Sequence, residues 1–230
     1  MVTSERFSQI AGSYWTSLLP RLSHFVSLSN AAAEQYAEPL LLISSPARRP
    51  LITETAFVAW KTKAMNGAEE IARSRLAVLW NQIPMADAIS ESEHADVDLI
   101  RTRLEAIEQI VGVNDLVVEP SLPGCGFLEG GAPDFLARVA VEPRPGLVLG
   151  EIKMVERQFR SSDYRQMICY LVLYYAQNSK ILEFLWLVNP VRGVVVRIDV
   201  DSLFMLVRGQ PSSEAVPEIA YEWSSPGVSP

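Results

Sequence analysis

After Gly112 the spacing of apolar residues changes from a helical period to a strand-like one, and that change divides the chain. Before it, Phe57, Trp60, Ile71, Leu76, Leu79 and Trp80 recur at helical spacing, Asn66 and Gly67 separate two segments, and Pro84 ends the second. Ser90 with Glu93 forms a capping-box signature, opening a helix whose buried stripe is Val97, Ile100, Leu104, Ile107 and Ile110. After it, residues 115–119 read as a strand and residues 120–131 as a loop rich in Pro and Gly. Residues 134–141 and 147–155 read as two further strands, joined by a turn containing Pro143, Pro145 and Gly146. A helical pattern returns over 162–177, followed by strands at 183–188 and 194–200.

From residue 93 the order is helix, three strands, helix, strand, which predicts an α/β fold with a mixed sheet flanked by helices. The expected division is a helical N-terminal region over 1–90, a core over 91–209 and a Pro- and Ser-rich surface tail over 210–230. Only a short ordered piece around Ile219 to Trp223 is expected in that tail. The N-terminal region is expected to dock substrate or a partner, with Arg48, Arg49, Lys61 and Lys63 supplying attraction.

Composition excludes several classes. Hydrophobic residues make up 49% of the 230 and charged residues 20%, the balance of a globular protein that buries a core. No apolar run approaches the roughly 18 residues of a bilayer span, and the early segment with Glu5 beside Arg6 lacks the pattern of a secretory signal. A cytoplasmic protein with no membrane role is expected. Cys125 and Cys169 are too few for a thiolate metal cage and read as free thiols. His24 and His94 are the only histidines, so a catalytic metal would have to be held by oxygen. A net charge of −7 tells against binding nucleic acid through overall positive charge and leaves room only for a local basic groove.

The informative stretch runs from Ala132 to Tyr170. Residues two apart on a strand share a face, so Glu151 and Lys153 project together while Ile152 points into the core. Asp134, on the paired strand, can meet them. Two converging carboxylates repel unless a cation sits between them, and hard oxygen donors suit Mg²⁺ or Mn²⁺. A lysine beside that cation can orient a water and stabilise charge developing on a phosphate, the parts needed for hydrolysis of a phosphodiester. No Gly-x-Ser-x-Gly elbow and no Walker-type phosphate loop is present. Tyr170, Tyr174 and Tyr175 read as core residues rather than base-stacking ones.

Pro133 with Asp134, Glu151-Ile152-Lys153, and Gln166 one helical turn before Tyr170 together resemble the PD-(D/E)XK nuclease superfamily, in its RecB-like branch with a Q-x-x-x-Y helix. The resemblance covers residues 93 to 205 and implies a restriction-endonuclease-like αβββαβ core with a helical N-terminal extension. It implies that Asp134 and Glu151 bind metal with the main-chain carbonyl of Ile152, that Lys153 positions the attacking water, and that Gln166 serves the site. Many family members add a glutamate from the preceding helix. Glu105 is the preferred candidate here, with Glu108 and Glu93 behind it, and Arg157, Arg160 and Arg165 are candidate phosphate contacts.

The implied function is a Mg²⁺-dependent nuclease in prokaryotic defence or repair, acting on DNA rather than RNA and as an endonuclease rather than an exonuclease. The segment from Ser162 to Tyr170 is also similar to cleavage subunits of methyl-directed restriction systems, which work with a separate nucleotide-driven motor. A motor or sensor protein and a second copy of the chain are therefore expected partners. The rival reading is a non-catalytic subunit of a defence complex that keeps the nuclease fold for binding.

Overall fold

The computed structural model describes residues 1–80, 87–111, 114–139 and 145–225. In chain order its elements are α1 (Ser4–Gln9), α2 (Gly12–Leu18), α3 (Leu22–Ala31), β1 (Glu34–Gln35), α4 (Arg49–Thr62), α5 (Ala68–Trp80) and α6 (Glu91–Val111). There follow β2 (Asn114–Val118), β3 (Leu122–Cys125), β4 (Leu128–Gly131), β5 (Phe135–Val139), β6 (Gly146–Ile152), α7 (Ser161–Asn178), β7 (Phe184–Asn189), β8 (Val194–Asp199), α8 (Val200–Arg208) and α9 (Ser212–Ser224).

The protein is mixed α/β. A six-stranded sheet has the order β1-β8-β7-β6-β5-β2. All neighbours are antiparallel except β6 and β7, which run parallel and are joined through α7. That connection is forced by geometry, since parallel neighbours need a crossover and a helix is the usual one. The helix lies against Leu149 of β6 and Leu185 and Leu187 of β7, in a core that also holds α1–α3, α8 and α9. On the other face α4, α5 and α6 cover Phe135, Ala137, Val148, Ile152, Trp186 and Val188. Alternation along β6 therefore sends Leu149 to one layer and Val148 and Ile152 to the other.

Local chemistry explains the boundaries. Ser90 N–H donates to Glu93 Oε2 at 2.9 Å and Glu93 N–H donates to Ser90 Oγ at 3.3 Å, the reciprocal pair expected at the start of α6. Val97, Ile100, Leu104 and Ile107 are buried from that helix. α4 ends where Lys63 turns left-handed, just before Asn66 and Gly67. The expectations for Pro84, Gly112, the side chain of Ile110 and most of the turn at Pro143 lie outside the described residues.

Three expectations are corrected. Residues 1–90 are not a separate region, because α1–α3 build one layer, α4 and α5 the other, and β1 extends the sheet by pairing with β8. The stretch 120–131 is not all loop: β3 and β4 form a two-stranded ribbon despite Pro123, Gly124 and Gly130. Residues 212–224 are no tail. α9 buries Ala215 and Val216, then Ile219 three to four residues on and Trp223 four further, the recurrence that one helical face requires. Its Trp223 carbonyl approaches Gly126 so closely that a Cβ there would lie 1.7 Å from the oxygen, at a φ of +58° that also favours glycine.

Candidate active site

The site forms where β5 begins and β6 ends. Pro133 and Asp134 lead into β5, and Phe135 pairs with Gly150 across the strands. Gly150 is required by that pairing, because a Cβ would sit 1.9 Å from the Phe135 ring. The ring fills the space beneath β6, and the next residue, Glu151, turns to the opposite face. Asp134 Oδ2 accepts the Ile152 N–H at 2.5 Å, and the Asp134 carbonyl accepts the Glu119 N–H at 2.9 Å. Lys153 remains extended past the strand end because its N–H donates to the Val188 carbonyl of β7 at 2.8 Å.

Lys153 Nζ donates to Glu151 Oε1 at 2.8 Å and to Gln166 Oε1 at 2.7 Å. Gln166 Nε2 donates to Glu151 Oε1 and to Tyr170 Oη, each at 2.9 Å. Tyr170 then donates to Glu5 Oε1 at 2.6 Å. Gln166 and Tyr170 are one turn apart on α7, which explains how both reach one chain of bonds. The structure thus brings Asp134, Glu151, Ile152, Lys153 and Gln166 together.

Burial first, then the charge of Glu151, pushes the Asp134 carboxyl well above its ordinary range. Burial likewise raises Glu151, although Lys153 opposes it. For Lys153 burial works against the charge, yet Glu151 and Asp134 outweigh it and hold the ammonium above its ordinary value. Burial and the charges of Glu151 and Glu5 keep the Tyr170 phenol protonated.

Oxygen donors here fit a hard divalent cation. Glu151 Oε2 is buried and has no hydrogen-bond partner among the described residues, a costly state for an anionic oxygen unless an ion completes it. No group of three or more His, Cys, Asp or Glu side chains converges at metal-binding distance among those residues. Two carboxylates are nonetheless a normal protein share for Mg²⁺, which keeps several waters and takes phosphate oxygens from its substrate.

Glu105 does not join the site. It lies on α6, in the layer covering the Ile152 face, and pairs with Arg101 at 2.5 Å. Glu108 accepts from Trp60 Nε1 at 2.8 Å and pairs with Lys63, and Glu93 is held by Arg48 at 2.8 Å. The helix glutamate that reaches the network is Glu5 of α1, which sequence reasoning missed. No local signal marks it, because its place depends on pairing 126 residues away.

That pairing is explicit. Val2 N–H donates to the Phe127 carbonyl and Glu129 N–H to the Val2 carbonyl, both at 3.0 Å, and Ser4 Oγ donates to the Gly130 carbonyl at 3.2 Å. Phe7 is fully buried, its ring 4.9 Å from Trp15, 5.0 Å from Phe127 and 5.6 Å from Trp223. Such a cluster fixes the first helix against β4 and α7.

The basic candidates divide. Arg157 forms a two-pronged pair with Asp163 at 2.7 and 2.9 Å and so belongs to the start of α7, where Asp163 also accepts the Arg160 N–H at 2.8 Å. Arg160 is exposed. The Arg165 guanidinium lies over the Trp15 ring, 5.8 Å from its centroid. Of the N-terminal cations, Arg48 pairs with Glu93, Arg49 with Glu156, Lys61 with Glu119 and Lys63 with Glu108. Each of the four thus meets a carboxylate of this chain, with Lys61 and Lys63 remaining 40% and 58% exposed.

Both cysteines are free and buried. Among the described residues no helix is long and apolar enough to cross a membrane. The chain matches no family model, no curated protein and no solved structure.

Proposed function

We propose that this protein is a divalent-metal-dependent nuclease with a restriction-endonuclease-like core, hydrolysing phosphodiester bonds in DNA before RNA. The order α6, β2, β5, β6, α7, β7 supports that core, with the β3–β4 ribbon inserted between its first two strands. One observation carries the chemistry: Glu151 Oε2 is buried and partnerless beside Asp134, while Lys153 holds the other Glu151 oxygen. Asp134, Glu151 and the Ile152 carbonyl would hold Mg²⁺ or Mn²⁺. The ion would supply Lewis acidity toward the phosphate and an activated water.

This chain's own residues supply the rest. Gln166 keeps Glu151 in place from one side and receives Lys153 on the other. The Lys153 ammonium stays charged and can turn toward a phosphate oxygen or the attacking water. Strand ends joined by backbone bonds hold these groups more firmly than loops would. Roles in defence or repair, with a motor or sensor protein or a second copy, extend this reading to the cellular setting.

A cleavage assay on circular and linear DNA and on RNA, with Mg²⁺, Mn²⁺ or EDTA, tests it. Cut circular DNA in Mg²⁺ and intact DNA in EDTA are expected. No cleavage of any polymer, together with no Mn²⁺ binding, would favour a non-catalytic binding subunit.

A further inference from the structure

We propose that Glu5 is a positioning residue of the site, acting through Tyr170 to fix which way the Gln166 carboxamide faces and so to leave Glu151 Oε2 open. Its consequence for catalysis rests on the nuclease reading, whereas its geometry does not.

Proton counting carries it. An ammonium only donates and a carboxylate only accepts, whereas the amide and the phenol between them do both. Lys153 donates to Gln166 Oε1, so both Nε2 protons must go outward, and they go to Glu151 Oε1 and Tyr170 Oη. The phenol oxygen is then an acceptor, and its single proton goes to Glu5 Oε1. Each proton of the amide and of the phenol has one place.

Removing the Glu5 carboxylate leaves the proton of a buried phenol without its acceptor. Within this chain of bonds the other acceptor is Gln166 Oε1, presented to the phenol only by turning the amide over. That would aim Nε2 at the Lys153 ammonium and Oε1 at the Glu151 carboxylate, and both contacts are repulsive. Lys153 fixes the inner end of the chain only while it faces Gln166. Once it turns to a phosphate, Glu151 Oε1 on one side and Glu5, through Tyr170, on the other are the anchors that keep the direction. Glu5 is itself exposed, so its carboxylate can be changed without opening a cavity.

The full chain is compared with its Glu5→Ala, Glu5→Gln, Tyr170→Phe and combined Glu5→Ala/Tyr170→Phe variants. In metal-free protein, exchange protection of the Gln166 side-chain amide should be kept in Glu5→Gln, whose carbonyl oxygen accepts the same proton, and fall about tenfold in Glu5→Ala. Mn²⁺ affinity and kcat should fall about tenfold or more in Glu5→Ala and in Tyr170→Phe, with the double variant no worse than either single one. Equal impairment of Glu5→Gln and Glu5→Ala would overturn the proposal by making the charge itself the active feature. Unchanged amide protection in Glu5→Ala would overturn it too. Should wild type neither bind Mn²⁺ nor cleave, the nuclease reading fails, and amide protection alone decides the role of Glu5.

Discussion

The Ile152 N–H and Asp134 Oδ2, 2.5 Å apart, tie the ends of two adjacent strands through a carboxylate that burial and Glu151 both disfavour as an anion. Asparagine at 134 keeps an oxygen acceptor for that N–H and removes the repulsion. Asp134→Asn should therefore leave the metal-free fold unchanged or stabilise it. Urea unfolding in EDTA measures this. A loss of several kcal/mol would mean the charge is structurally required.

Stability should also depend on pH in a directed way. Asp134 and Glu151 titrate higher folded than unfolded, so unfolding releases protons and metal-free stability falls as pH rises from about 4 through their raised values. Glu93 acts oppositely: Arg48 and Ser90 lower it to about 2, so its contribution is present above the ordinary Glu value and lost as pH falls toward 2. Melting temperatures in EDTA should thus pass through a peak between these two limits. Asp134→Asn should flatten the arm above that peak, and an unchanged arm would contradict the assignment.

Mg²⁺ should raise the melting temperature of wild type more than that of Asp134→Asn, since binding to the native state alone shifts folding by mass action. Equal shifts in the two proteins would place the ion elsewhere.

α9 belongs to the core, so Trp223→Ala should destabilise the protein by about 3–5 kcal/mol, as for other buried aromatics. Denaturant titration would read a change under 1 kcal/mol if residues 212–224 were a mere tail.

What the sequence revealed and what it hid have physical reasons. Asp134, Glu151, Lys153 and Gln166 lie within one strand–strand–helix stretch, where period-2 alternation and a single helical turn fix relative positions. Glu5 was invisible because only the pairing of Val2 with Leu128 and the burial of Phe7 bring it to Tyr170. The β3–β4 ribbon was hidden by Pro123 and its glycines, residues poor in strands that tolerate the close approach of Gly124 to the Leu128 carbonyl. Pro217 and the serines disguised α9, although Ala215, Val216, Ile219 and Trp223 already carried a helical period. Glu105 had the right spacing on α6 and the wrong layer, which no helical pattern can report.

The most direct measurement is Mg²⁺-dependent cleavage of circular DNA by wild type and by folded Glu151→Ala, compared at equal protein concentration. Wild type should cut, and the variant should be slower by about a hundredfold or more, the scale for removing a group that acts in the transition state. Substantial Mg²⁺-dependent cleavage by Glu151→Ala would contradict the account.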